Sequence, residues 1–134
     1  MKELYKGLGH IAIYTTDMDK SIAFYKKIGG SVYKRDGVAT SEGEKKLTLI
    51  VFGGFLLELI QPPVGVSVPA GEGSLPHFAV YVDDLDQAAA ATRQAGVTSF
   101  TTPENKVLPD TFGGLQNWFF TGLSGEQIEL LQML

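Results

Sequence analysis

A chain of 134 residues with 44% hydrophobic residues is long enough to bury a core, so residues 1–134 are read as one domain. A net charge of -4, from 11 Lys and Arg against 15 Asp and Glu, excludes a nucleic-acid binder built on clustered phosphate contacts. The absence of cysteine excludes disulfides and a thiol nucleophile.

The first residues carry no apolar stretch before a small-residue cleavage site, so no signal peptide is expected and the cytoplasm is the default compartment. A strand at 10–15 runs into Asp17, a helix N-cap. Met18, Ile22, Tyr25 and Ile28 then recur at helical spacing until Gly29 stops the helix. Strands follow at 31–38, 45–52 and 55–61. Gly53 and Gly54 divide the last two as a hairpin, so the apolar run 47–60 is not a membrane span. Residues 62–75, rich in Pro and Gly, suit a linker. The order then repeats, with a strand from His77, an N-cap at Asp84, a stop at Gly96 and strands at 98–102, 115–120 and 127–133. Residues 105–114, including Phe112, form a long loop that either covers substrate or simply connects strands. The architecture is α+β: a β-α-β-β-β module at about 5–61 and another at about 76–134, joined along their sheets.

The two modules are copies of one another. The chain has two histidines, His10 and His77, and they stand at the same position of a repeat displaced by 67 residues. A second repeat, GFLLELIQ around Glu58 and GEQIELLQ around Glu129, is displaced by 71. Each copy thus contributes one histidine and one glutamate. Inherited core histidines are the bland alternative, but the polarity pattern opposes it, because both carboxylates are embedded in apolar strand sequence. An ionised carboxylate taken from water needs a cation or strong donors, and neither strand contains Lys or Arg. A divalent metal is the simplest partner.

The segments GlyHisIleAlaIle, AspLysSerIleAlaPheTyr, ProHisPheAlaValTyrValAspAspLeuAsp and GlyGluGlnIleGluLeu together resemble the vicinal oxygen chelate superfamily. It includes glyoxalase I, methylmalonyl-CoA epimerase, extradiol dioxygenases and the fosfomycin and bleomycin resistance proteins. The resemblance implies a cupped mixed sheet around one metal, whose ligand positions fall on His10, Glu58, His77 and Glu129. Ni, Co, Zn, Mn or Fe suits two imidazoles and two carboxylates. It further implies a homodimer and a small-molecule substrate, with neither nucleic acid nor membrane as partner. The leading expectation is a glyoxalase I-like lyase or isomerase, in which a chelated enediolate forms and Glu129 or Glu58 is the base.

Several positions refine this. Tyr14 and Pro62 stand where glyoxalase I carries an arginine and an asparagine for glutathione, a departure from that substrate's pattern. Aligned with the epimerase, Glu42 falls where that enzyme carries a base, although SerGluGlyGlu also reads as a solvated loop. Tyr14, Phe112 and Trp118 are candidate substrate contacts; Trp118 shares a strand face with Phe120, a pattern equally suited to a core. An extradiol dioxygenase would use His10, His77 and Glu129 but would lack a further histidine for acid/base work. A non-catalytic ligand-binding module like the bleomycin resistance proteins is the alternative from another class.

Overall fold

The computed structural model describes residues 8–67 and 77–134. The linker expected at 62–75 lies mostly outside the described residues. Module one consists of β1 (Ile11–Tyr14), α1 (Met18–Lys27), β2 (Ser31–Thr40), β3 (Gly43–Phe52) and β4 (Phe55–Gln61). Module two consists of β5 (Phe78–Tyr81), α2 (Leu85–Gln94), β6 (Lys106–Leu108), a 3-10 turn (Thr111–Gly113), β7 (Leu115–Thr121) and β8 (Gln127–Met133).

Local chemistry sets the helix ends. The carboxylates of Asp17 and Asp84 accept from the backbone N–H groups of Lys20 and Gln87, each satisfying a first-turn donor. A second first-turn donor in each helix is satisfied from afar: Met18 donates to the Gln61 side-chain oxygen at 2.8 Å and Leu85 to that of Gln132 at 2.7 Å. Gln61 and Gln132 are the closing residues of the two matched repeats, so the duplication preserved a tie from the last strand back to the helix start. Gly29 and Gly96, both at positive φ, end the helices.

Each module forms its own four-stranded mixed sheet, ordered β1-β4-β3-β2 and β5-β8-β7-β6, and among the described residues no strand of one sheet pairs with a strand of the other. The first and last strands of each module run parallel at the sheet edge, and every other pair is antiparallel. Alternation fixes the register. Leu57 and Leu59, fully buried, face the helices, which turns Glu58 to the opposite face; Ile128 and Leu130 do the same for Glu129. Burial of each such side chain contributes about 1.5–3 kcal/mol.

One strand differs from expectation. Residues 98–102 do not form a strand; Phe100 makes only an isolated bridge to Phe120, and the edge of the second sheet is β6, inside the segment expected to be loop. Ser99 and Thr101 still exchange backbone hydrogen bonds with Thr121 and Phe119, and Lys106–Leu108 takes the remainder of the same β7 edge.

The helix-facing sides of both sheets share one core, in which Met18, Ile22, Tyr25, Ile50 and Leu57 of module one join Phe78, Leu85, Phe120 and Ile128 of module two. At the seam the rings of Phe55 and Phe78 meet edge to face at 5.6 Å. The Gly53-Gly54 hairpin turn presses against β5, so closely that a Cβ at Gly53 would stand 2.6 Å from a Val80 methyl. Only glycine fits there, since its φ of +59° is also left-handed. A cleft of about 300 Å³, bordered by Lys27, Gly53, Val80, Thr92 and Phe120, remains beside this seam.

A buried acid also sits at the seam. Glu126, in the β7–β8 turn, accepts from the Ser124 N–H at 3.0 Å and faces the Tyr25 hydroxyl, which makes no well-formed hydrogen bond. Burial, opposed by its hydrogen bonds, pushes the Glu126 carboxyl up from its ordinary 4.5, and burial beside Glu126 pushes Tyr25 up as well. For an acid raised on folding, the associated stability is present below pH 4.5 and is lost as pH rises through the folded-state value. Glu126→Gln is therefore expected to stabilise the protein against urea at pH 8 and to match wild type at pH 4. Equal midpoints of the two proteins at pH 8 would contradict that reading.

Candidate functional site

The face of each sheet turned away from the helices carries the candidate site. On the first sheet Glu58 lies opposite Ala12 of β1 and Leu49 of β3; on the second Glu129 lies opposite Ala79 of β5 and Phe119 of β7. The two carboxylates thus occupy the same register position. Each histidine precedes the first residue of its strand and reaches across to the neighbouring glutamate. His10 Nε2 stands 3.7 Å from Glu58 Oε1, and His77 Nε2 stands 3.2 Å from Glu129 Oε2. The structure therefore joins His10 with Glu58 and His77 with Glu129. It does not gather all four, because among the described residues no three His, Asp or Glu side chains converge on one point.

The donor chemistry of each pair fits half of a metal site. Two ligands held about 2.0–2.2 Å from one ion at roughly 90–110° lie about 3.0–3.5 Å apart, which the His77–Glu129 spacing already matches and the His10–Glu58 spacing nearly does. One pair cannot complete the four to six positions of a divalent transition ion.

The surroundings of the pairs are apolar and open. Around Glu58 the same face carries Leu47, Leu49, Leu56 and Ile60, all half-buried, with Val51 and Tyr14 exposed. Around Glu129 it carries Leu131, Asn117 and Phe119, with Tyr81 and Met133 exposed at its margins. The His77 and Phe119 rings meet edge to face at 5.2 Å. A 320 Å³ hollow beside Asn117 and Phe119 is bordered by Thr101, Asn105 and Lys106.

Other candidate residues fall in different places. Tyr14 lies on the Glu58 face, at the Ile60 register. Trp118 alternates away from Glu129; its ring stacks under the Arg93 guanidinium at 4.2 Å and its indole N–H donates to the Thr102 carbonyl at 3.0 Å. Phe112 is 86% exposed in the 3-10 turn, with a left-handed φ of 48°. Glu42 is exposed in the β2–β3 turn, seven residues from Leu49 and hence about 20 Å along the strand from Glu58. Asn117 escaped notice in the sequence: it is buried and donates to Glu129 Oε1 at 2.8 Å. No local signal marked it, since β7 also carries Gln116 and Thr121 and Asn117 lies on the face turned away from the helices.

No helix among the described residues is long and apolar enough to cross a membrane. The model of the Glyoxalase/Bleomycin resistance protein/Dioxygenase superfamily matches residues 7–130. The uncharacterized protein YaeR of Escherichia coli (strain K12) is 31% identical over 130 residues, covering 95% of this chain and 96% of YaeR. The uncharacterized protein YwkD of Bacillus subtilis (strain 168) is 35% identical over 98 residues, 70% of this chain and 75% of YwkD. The crystal structure of a glyoxalase family protein from Enterococcus faecalis shares the fold with a TM-score of 0.70 at 23% identity, over 96% of this chain and 98% of that one. With its matched modules, edge pairing and repeated histidine and glutamate, the chain belongs to the Glyoxalase/Bleomycin resistance protein/Dioxygenase superfamily.

Proposed function

We propose that the protein is a metal-dependent lyase or isomerase of the glyoxalase I kind, acting as a homodimer. His10 and Glu58 of one chain and His77 and Glu129 of a second copy would hold one divalent ion, Ni, Co, Zn, Mn or Fe, in a cup closed by the two open sheet faces. The observation that carries this reading is the identical placement of two His–Glu pairs, each with a spacing close to that of ligands sharing an ion. Exposed apolar area around both pairs favours coverage by a second copy.

A bound ion would supply Lewis acidity toward two adjacent oxygens of a small substrate. The chain's own residues do the rest. The apolar walls exclude water, Tyr14 stands at the margin of the cup, and Glu58 or Glu129 takes the proton next to the substrate carbonyl and returns it. The reading favours proton transfer over extradiol oxygen chemistry, because both histidines are committed to the pairs.

Metal content measured by plasma mass spectrometry on tag-free protein is the direct test. About one transition ion per chain, lost in His77→Ala, is expected. Assays with hemithioacetals, acyl-CoA epimers and catechols then separate the reactions. Protein that remains metal-free after supplementation with all five ions would move the assignment to a non-catalytic ligand-binding module.

A further inference from the structure

The two half-sites are matched in register but not in restraint. Both oxygens of Glu129 are engaged: Oε1 accepts from Asn117 Nδ2 at 2.8 Å, and Oε2 faces His77 Nε2 at 3.2 Å. Among the described residues Glu58 has only His10 nearby, at 3.7 Å, beyond hydrogen-bond reach, and its side chain is 20% exposed against 10% for Glu129.

The register gives the reason. Asn117 pairs with Leu131, one step along the face from the Phe119–Glu129 pair, so its side chain reaches Glu129 diagonally. In module one the matching position, opposite Ile60 and one step from the Leu49–Glu58 pair, is Leu47. A leucine offers no donor. The duplication thus preserved both carboxylates, while only module two has an amide to hold its carboxylate.

We infer that Asn117 is a positioning residue that divides the work of the two carboxylates, fixing Glu129 as the permanent metal ligand and leaving Glu58 as the one that swings to the substrate. This rests on the metal-dependent reading above. Asn117 is itself buried, so its amide cannot follow a moving carboxylate without leaving polar atoms unsatisfied. Swinging Glu129 out would break a charge-assisted hydrogen bond, whereas swinging Glu58 breaks none among the described residues. In the proton step the substrate C–H bond breaks and an O–H bond forms on Glu58. The electron pair delocalises toward the carbonyl oxygen, the substrate's own hydroxyl proton passes to that oxygen as the first carbon becomes the carbonyl, and return of the abstracted proton to the neighbouring carbon restores the carboxylate.

Cobalt binding to the full-length protein, followed by visible absorption against a competing chelator, tests this division without reference to turnover. Asn117→Leu is expected to weaken cobalt affinity about 10–100-fold, the usual effect of removing a partner that orients a ligand. Glu129→Gln should weaken it more than Glu58→Gln. The converse variant, Leu47→Asn, puts a donor beside Glu58 on a half-buried position and leaves Asn117 in place, so it stands independently of whether Asn117→Leu folds. It should hold cobalt at least as tightly as wild type, alter the cobalt spectrum and lower kcat with little change in KM. Wild-type protein that takes up no cobalt overturns the metal reading and this inference with it. Wild-type protein that binds cobalt, with Glu58→Gln and Glu129→Gln equally impaired and Leu47→Asn unchanged in spectrum and kcat, overturns the division alone.

Discussion

Refolding a His10→Ala/Glu58→Gln chain together with a His77→Ala/Glu129→Gln chain should restore metal binding that neither has alone. Each variant by itself would keep one intact pair per chain, but a homodimer would then set every intact pair against a damaged one. Two donors do not retain a transition ion in competition with a chelator. In the mixed dimer one site receives all four native donors and the other none. Random reassortment makes about half the dimers mixed, so about a quarter of the wild-type metal is expected to return. Plasma mass spectrometry after gel filtration in a chelator measures it. A mixture that stays metal-free, beside a wild type that binds, would mean that the four donors do not meet between chains. Within one chain, among the described residues, no third metal-binding side chain joins either pair.

Phe120→Ala should cost about 3–5 kcal/mol, a large part of the roughly 5–15 kcal/mol that stabilises a typical domain. Phe120 is 1% exposed, packs on Phe100 at 5.5 Å between centroids and belongs to the core shared by both modules. It also borders the seam cleft, so truncation enlarges an existing void that the sheet and helices cannot close by small shifts, and the cost should fall toward the upper end of the range. A fall of roughly 10–20 °C in Tm is expected. Because the core is common to both modules, thermal unfolding of the variant should remain one transition by both far- and near-ultraviolet circular dichroism. Two transitions would show that the modules melt separately.

Elements set by short-range chemistry were legible in the sequence. Asp17 and Asp84 cap helices where expected, because a carboxylate three residues from an unsatisfied N–H acts locally. β4 and β8 match the expected 55–61 and 127–133, each being bounded by a glycine turn on one side. The face of Glu58 and Glu129 followed from strand alternation, opposite Leu57 and Leu59 and opposite Ile128 and Leu130, whereas the nearness of each to its module's histidine depends on the parallel pairing of first and last strands. Features decided at a distance were not legible. Both segments reach β7, residues 99–101 beside Phe119–Thr121 and Lys106–Leu108 beside Leu115–Asn117, and how that edge is shared depends on the course of the intervening chain, not on the stronger strand preference of the Thr- and Phe-rich stretch. The orientation of Trp118 was left open by its shared face with Phe120, and the partnership with Arg93 draws it to the helix side. The role of Asn117 requires the β7–β8 register, which no local pattern states.

Ala12 and Ala79, the cross-strand neighbours of Glu58 and Glu129, carry a single methyl each. Each of these two carboxylates therefore has a floor one carbon high on its parallel-strand side, while Leu49 or Phe119 walls the other, so the headroom of the proposed cup depends on residues that donate nothing. Exchange of either alanine for valine would raise that floor by one carbon across two branches while leaving all four donors and the Asn117 amide in place. Under the proposed reading, substrate girth and metal retention would thus be written at separate positions on the same strands, so that one could drift through time while the other stood still.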